Sequence, residues 1–312
     1  MKKLNRRTFV KSASATGAAL LMTPYLGAKG IMTTEDLFFK ISLAEWSFHK
    51  TIFSKKLNHL EFAAKAKSLG LDGIEYVNQF FKDKAEDADY LKEMNMRASD
   101  ANVRQLLIMI DGEGGLGDTD EAKRKTAIEN HYKWVDAAKT LGCHSIRVNA
   151  YGQGSAEDVA SAAIEGLGGV SEYASKEEIN VIVENHGGYS SDGSWLAGVI
   201  KQVNLPNCGT LPDFGNFCLQ RKKGSWDCVE EYDKYKGVEE MMPFAKAVSA
   251  KANNFDAEGN EVGIDYMKMM QIVKNHGYTG YVGIEYEGRN LGEEEGIIAT
   301  RDLLIKVGKA LG

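Results

Sequence analysis

Apolar residues along this chain alternate between two periods. Short runs with the look of buried strands, such as "DGIEYVN" (72 to 78) and "NVIVEN" (180 to 185), are separated by longer stretches. In those stretches, such as "LNHLEFAAKAKSLG" (57 to 70), apolar positions recur every three to four residues. Read this way, the chain predicts strands in "FKISLAEWS", "DGIEYVN", "VRQLLIMID", "HSIRVNA", "NVIVEN", "CGTLPDF", "KAVSAKANNF" and "GYVGIEYEG". Helices are expected over 57–70, 84–101, 120–141, 156–178, 192–203, 227–242, 264–276 and 293–310. Several junctions repeat: "KSLGLDGIEY", "KTLGCHSIRV" and "KNHGYTGYVGIEY" each run from a helix through a glycine into a strand, and Gly70 and Gly142 lie 72 residues apart. That spacing suits two strand–helix units.

Strict alternation implies parallel strands joined by right-handed crossovers. Eight units close naturally into a single-domain α/β fold, the (β/α)8 TIM barrel. An open doubly wound sheet is the competing arrangement, but it carries a glycine-rich phosphate loop after its first strand, and "LAEWSFHK" has none. The barrel domain is expected over residues 37–312.

Composition changes the picture at one end only. The 312 residues are 43% hydrophobic and 26% charged, ordinary for a globular chain, and only four prolines punctuate them. Residues 1–30, "MKKLNRRTFVKSASATGAALLMTPYLGAKG", open basic, carry Arg6 and Arg7, and continue into a short, weakly apolar Ala/Gly run. This pattern reads as a twin-arginine export signal, which predicts a periplasmic mature protein. The run is too short and too polar for a membrane span, so the mature form is expected off the membrane. Residues 1–28 hold five Lys/Arg and no acids, so their removal takes the formal charge from −6 to −11. Such an acidic protein is a poor match for nucleic acid.

The four cysteines, Cys143, Cys208, Cys218 and Cys228, show no C-x-x-C spacing, and zinc-knuckle geometry is not indicated. A bridge among the last three and free buried thiols both remain open.

In a barrel of this kind the working residues sit at the carboxyl ends of the strands. There the sequence places Glu75, Asn78 and Gln79; Asp111 and Glu113; Arg147 and Asn149; Glu184, Asn185 and His186; Asp213 and Asn216; Ser249, Lys251 and Asn253; and Glu285 and Glu287. Several carboxylates converging on one mouth repel each other unless a cation or a shared proton holds them. Glu184, Asp213 and Glu285 offer hard oxygen ligands suited to Mn²⁺ or Mg²⁺, with His186 nearby.

"VIVENHGG", "TLPDFGNF", "AVSAKANNFD" and "YVGIEYEG", in that order, together with "ISLAEWSFH" and "LGLDGIEYVNQFF", resemble the sugar phosphate isomerase/epimerase family of xylose isomerase-like TIM barrels. The resemblance extends over residues 39–310. It implies a divalent metal held by a Glu, an Asp, a His and a Glu after strands five to eight, which fall on Glu184, Asp213, Ser249 and Glu285. Ser249 stands where the family has histidine, so the fourth ligand departs from the pattern. Mn²⁺ is the expected ion, with Mg²⁺, Co²⁺ and Zn²⁺ as competitors.

The implied chemistry is proton abstraction beside the carbonyl of an unphosphorylated sugar or keto-sugar. Glu184 and Glu285 are the acid/base pair, and Lys251 neutralises a developing enolate or donates a proton. His186, Glu75, Arg147 and Trp46 are the expected substrate contacts, Arg147 toward an anionic group and Trp46 against a sugar face. Loss of a β-substituent from the same carbanion would make a lyase or dehydratase, for instance on a 3-keto-glycoside. A non-catalytic sugar-binding barrel is the third alternative. An endonuclease of related fold gathers many histidines around three metals, and this chain has six in all, four of them on predicted helices or at a strand start. The expected partner is a small carbohydrate, and self-association into a homo-oligomer is compatible with this reading.

Overall fold

The structure is a computed structural model that describes residues 37–225 and 227–312. The export signal read in residues 1–30 lies outside the described residues. Eight parallel strands form one curled sheet: β1 Lys40–Ala44, β2 Gly73–Val77, β3 Arg104–Met109, β4 Ser145–Val148, β5 Asn180–Glu184, β6 Cys208–Leu211, β7 Val248–Ala252 and β8 Tyr281–Tyr286. Each strand pairs with its sequence neighbour, and β1 pairs with β8. The last gap, between β6 and β7, is closed by parallel bridges at Thr210–Ala245 and Asp213–Ser249. The barrel is therefore continuous.

Among the described residues a helix of seven residues or more follows each strand: α1 Phe62–Ser68, α2 Ala88–Asp100, α3 Glu121–Thr140, α4 Ala156–Ser175, α5 Gly193–Val203, α6 Lys234–Met241, α7 Tyr266–Asn275 and α8 Glu293–Leu311, with a shorter helix, His49–Phe53, ahead of α1. Their starts are written in the sequence as caps. Asp87, Asp120, Ser155, Asp192, Asp233 and Asp265 each accept backbone N–H bonds from the first turn, satisfying donors that the helix itself cannot. Gly70 and Gly142, the repeated glycines, adopt φ of 76° and 69° just past α1 and α3. That left-handed turn is strained for other residues, and it swings the chain back into β2 and β4. The apolar faces so formed pack a large outer core between strands and helices, with Trp134, Phe62, Phe214 and Phe217 fully buried. A second cluster, including Leu107, Met109, Ile182 and Leu211, fills the barrel interior. No described helix is long and apolar enough to cross a membrane.

One expected element is corrected. The helix read over 227–242 begins only at Lys234, where the Asp233 side chain caps it. The residues before it belong to an antiparallel hairpin, Cys218–Arg221 with Cys228–Glu231, stapled by a Cys218–Cys228 disulfide. Both hairpin strands are largely exposed, so no apolar periodicity marks them in the sequence. Cys143 and Cys208 are free and buried.

Candidate functional site

At the carboxyl ends of the strands a pocket of about 640 Å³ opens to solvent; its lining includes Trp46, Asp111, Arg147, His186, Lys251 and Glu285. Strand register explains what meets there. Glu285 and Lys251 are directly paired positions of β8 and β7, and Ser249, two residues before Lys251, points to the same side of its strand. The closing bridge sets Asp213 against Ser249, and Glu184 ends β5 beside β6. One oxygen from each of Glu184, Asp213 and Glu285 lies within 4.8 Å of the others, and all three residues are buried.

Their partners are few and specific. Ser249 Oγ lies 2.6 Å from Asp213 Oδ2 and 3.2 Å from Glu285 Oε2. Lys251 Nζ donates to Glu285 Oε1 at 2.6 Å and stands 3.9 Å from Asp213 Oδ2 and 3.7 Å from Glu287 Oε1. Asp213 Oδ1 accepts the backbone N–H groups of Gly215 and Asn216, and Asn216 Nδ2 donates to Glu184 Oε1 at 3.0 Å. Arg147 Nε comes within 2.9 Å of Glu184 Oε2, yet neither atom has a hydrogen bond; the contact is ionic only.

Electrostatics follow from this arrangement. Burial raises the pKa of Glu184 to about 7, with Arg147 opposing and Glu285 adding to the rise. Burial likewise raises Asp213 to about 7 against the pull of Lys251. Glu285 goes the other way: burial is outweighed by the Lys251 ammonium, and its pKa is lowered. Burial opposes the charge of Lys251, but Asp213, Glu285 and Glu287 more than offset it and hold the amine protonated. Asp111, half-buried and paired with Arg147 at 2.9 Å, has burial outweighed by that guanidinium and is lowered to about 2.

The donor set fits a hard divalent cation. Three buried carboxylates share two cationic side chains, two of the three are pushed toward protonation, and Glu184 Oε2 is left without a hydrogen bond. Glu184, Asp213 and Glu285 would hold the ion, with the Ser249 hydroxyl at the fourth side.

The structure brings Trp46, Arg147, His186, Lys251 and Glu285 together on the pocket wall. Glu184, Asp213 and Ser249 complete the carboxylate cluster without lining the pocket. Trp46 Nε1 donates to Glu287 at 2.5 Å, which fixes the indole. His186 Nδ1 lies 2.7 Å from the Tyr151 hydroxyl and 3.1 Å from Asn149 Oδ1, leaving Nε2 free to face a ligand. Arg147, read as an anion binder, is already engaged by Asp111 and Glu184.

Glu75 is placed differently from the expectation. It does not line the pocket but is buried in the barrel, where Ser42 Oγ donates to it at 2.6 Å and a Cβ on Gly283 would come within 2.4 Å of it. Burial there raises its pKa to about 8.

Asn216 and Glu287 are strand-end residues to which sequence reasoning gave no role, although Glu287 lies two positions from Glu285 and so shares its face. Tyr151 and Arg289, which also line the pocket, sit on loops, and Arg221 ends an exposed hairpin strand, so no apolar pattern marks any of them.

The profile of the Xylose isomerase-like TIM barrel family matches residues 63–307, and the chain belongs to that family. Among curated proteins none matches in sequence. Solved structures share the fold. The apo 3-keto-D-glucoside 4-epimerase YcjR from E. coli superposes with a TM-score of 0.66 at 15% identity, covering 86% of this chain and 99% of that one. A xylose isomerase-like TIM barrel protein from Mycobacterium smegmatis in complex with magnesium gives 0.63 at 15% identity, over 87% and 97% of the two chains. The probable 3-DHS dehydratase AsbF from Bacillus anthracis gives 0.62 at 14%, over 85% and 98%. At these identities the likeness defines the fold.

Proposed function

We propose that the protein is a divalent-metal-dependent sugar isomerase or epimerase that removes a proton beside the carbonyl of a sugar or keto-sugar. The observation that carries this reading is the buried Glu184–Asp213–Glu285 cluster beside a pocket of about 640 Å³. A bound divalent ion would supply Lewis-acid stabilisation of the substrate oxygen next to the reacting carbon. Glu184 and Glu285 come from non-neighbouring strands and bring one oxygen each within 4.8 Å of the other; in this reading one takes the proton from the substrate carbon and the other returns one. Asp213, anchored by the N–H groups of Gly215 and Asn216, keeps its position rather than moving a proton. Lys251, protonated on the pocket wall, balances negative charge developing on the substrate. His186 Nε2 meets a hydroxyl, and the fixed Trp46 ring offers a face to the sugar.

A second reading, a lyase or dehydratase acting through the same carbanion, is supported by the fold shared with both a 3-keto-glucoside epimerase and a probable dehydratase. Incubating keto-sugars and keto-glycosides in D₂O separates the readings from a binding-only barrel. Deuterium should enter beside the carbonyl with wild type and be slowed by several powers of ten in Glu184→Gln and Glu285→Gln. Product with retained formula marks an epimerase, and product that has lost a substituent marks a lyase. Exchange at the wild-type rate in either variant contradicts the two-glutamate mechanism.

A further inference from the structure

Among the described residues three aromatic side chains are exposed, Phe53, Tyr151 and Tyr189, and all three lie in segments that leave the carboxyl ends of strands, after β1, β4 and β5. Tyr151 and Tyr189 engage their hydroxyls within the fold, donating to the carbonyls of His186 and Gly154. Phe53 has no polar atom to satisfy, and at 56% exposure it is the most open of the three. Single apolar residues on a surface are ordinary, whereas a connected apolar row that opens onto a pocket marks a place where something binds.

Phe53 is the outer end of such a row. Its ring centroid lies 5.1 Å from that of Phe80 and 6.1 Å from that of Trp46, and the Phe80 and Trp46 rings are 6.1 Å apart with planes 29° from parallel. All three separations are those of interacting rings. Trp46 lines the pocket, and Trp46 and Phe80 both pack against the apolar cluster, Val77 and Met109 included, that fills the barrel interior. The row therefore runs from the pocket wall outward to solvent. Its members are held in place: His49 stacks on the indole at 4.8 Å, Glu287 accepts the indole N–H, and Glu293 of α8 accepts the backbone N–H groups of Lys50 and Thr51 in the short helix that carries Phe53.

We infer that Trp46, Phe80 and Phe53 form a second ring subsite leading out of the reacting pocket, and that the substrate is a glycoside whose second ring, sugar or aryl, lies against Phe80 and Phe53 while its keto-sugar ring occupies the pocket. The inference rests on the sugar reading proposed above and names the class of sugar. The face of an aromatic ring carries partial negative charge. A pyranose presents to it a set of C–H bonds whose hydrogens are made positive by the neighbouring oxygens, and an aryl ring meets the same surface by offset stacking. Size agrees with two rings: about 640 Å³ falls in the range of pockets that enclose drug-sized molecules, more than a single hexose fills. A free hexose would leave the outer rings bare to water. A ring-bearing glycoside covers them, and because the row leaves the pocket on one side, the glycosidic link sets which end of the reacting sugar points outward.

The test is calorimetric titration of the full chain with keto-sugars in matched sets: the free sugar, its methyl glycoside, its phenyl glycoside and a disaccharide bearing the same keto ring. Wild type, Phe53→Ala and Phe53→Tyr are compared, with sedimentation velocity on the same samples. At least one ring-bearing glycoside should bind wild type about fivefold or more tightly than the methyl glycoside. That ratio should fall toward one in Phe53→Ala and be kept in Phe53→Tyr, which retains the ring; a purely structural role would weaken all ligands alike. The glycoside giving the larger ratio distinguishes a sugar from an aryl second ring. Phe53 is exposed, so its truncation opens no cavity in the core. Methyl and ring-bearing glycosides bound equally by wild type, or a ratio that survives in Phe53→Ala, overturns the subsite and leaves the sugar reading standing. A surviving ratio together with paired wild type and monomeric Phe53→Ala in sedimentation assigns the row to contact between copies instead. Failure of every sugar, free or glycosidic, to bind overturns both.

Discussion

Lys251 and Glu285 issue from directly paired positions of adjacent strands, and the ammonium lies 2.6 Å from the carboxylate that closes the acidic cluster. An ion bound by Glu184, Asp213 and Glu285 therefore shares Glu285 with a fixed positive charge. This arrangement separates what the lysine does for the fold from what it does for chemistry.

Without a metal, Lys251 is the main counter-charge for Asp213 and Glu285. Breaking a buried ion pair by removing one partner costs about 3–5 kcal/mol. In the presence of chelator, Lys251→Met should lose stability of that order in urea denaturation. Added Mn²⁺ should recover part of the loss by supplying the missing charge. A variant as stable as wild type in chelator would show that the ammonium is not engaged with the cluster.

Glu75 predicts a pH dependence of its own. Its folded pKa is raised to about 8 from the ordinary 4.5 because burial disfavours the carboxylate. Between those two values the folded state holds a proton that the unfolded chain has released. Stability contributed by the protonated Glu75 is thus complete below about pH 4.5 and is lost as pH rises toward about 8, at a slope of about 1.4 kcal/mol per pH unit. Glu75→Gln, which stays neutral, should match wild type at low pH and exceed it near pH 8 in melting experiments. Parallel melting curves for the two proteins would contradict the buried, protonated state.

Arg6 and Arg7 carry the proposal of export. It is supported by the Cys218–Cys228 bond, since disulfides persist where the environment is oxidising. In fractionated cells, the wild-type protein should be found outside the cytoplasmic membrane and the Arg6→Lys, Arg7→Lys protein inside it. Equal distribution of the two would remove the signal reading.

The barrel was readable because each unit states its own boundaries. Capping residues such as Asp120 and Asp265 and the turn glycines Gly70 and Gly142 mark them, and the apolar period changes on crossing each one. The acidic cluster was readable for a related reason: in a parallel barrel every strand ends on the same rim, so Glu184, Asp213 and Glu285 must face a common space. Side-chain direction and loops were less legible. Glu75 lies in the middle of β2, two residues short of its end, and its side chain sits inside the barrel over Gly283, in a gap that any larger residue would close. The hairpin carrying Arg221 has exposed strands, so it leaves no periodic trace and reads as the start of a helix. Arg147, apparently poised for a ligand, is taken up by Asp111 and Glu184, neighbours that only the folded rim supplies.

The most direct test of the metal centre is the stoichiometry and affinity of divalent binding. Elemental analysis of protein purified without chelator, followed by calorimetric titration of Mn²⁺ into metal-free protein, should give about one tightly held ion per chain. Asp213→Asn should weaken that binding strongly, since Asp213 supplies one of the three clustered carboxylates. Ser249→His, which restores the family's fourth ligand beside Asp213 and Glu285, should strengthen it. Full activity of the metal-free protein, or Mn²⁺ binding indifferent to both substitutions, would contradict the assignment of Glu184, Asp213 and Glu285 as the centre of the reaction.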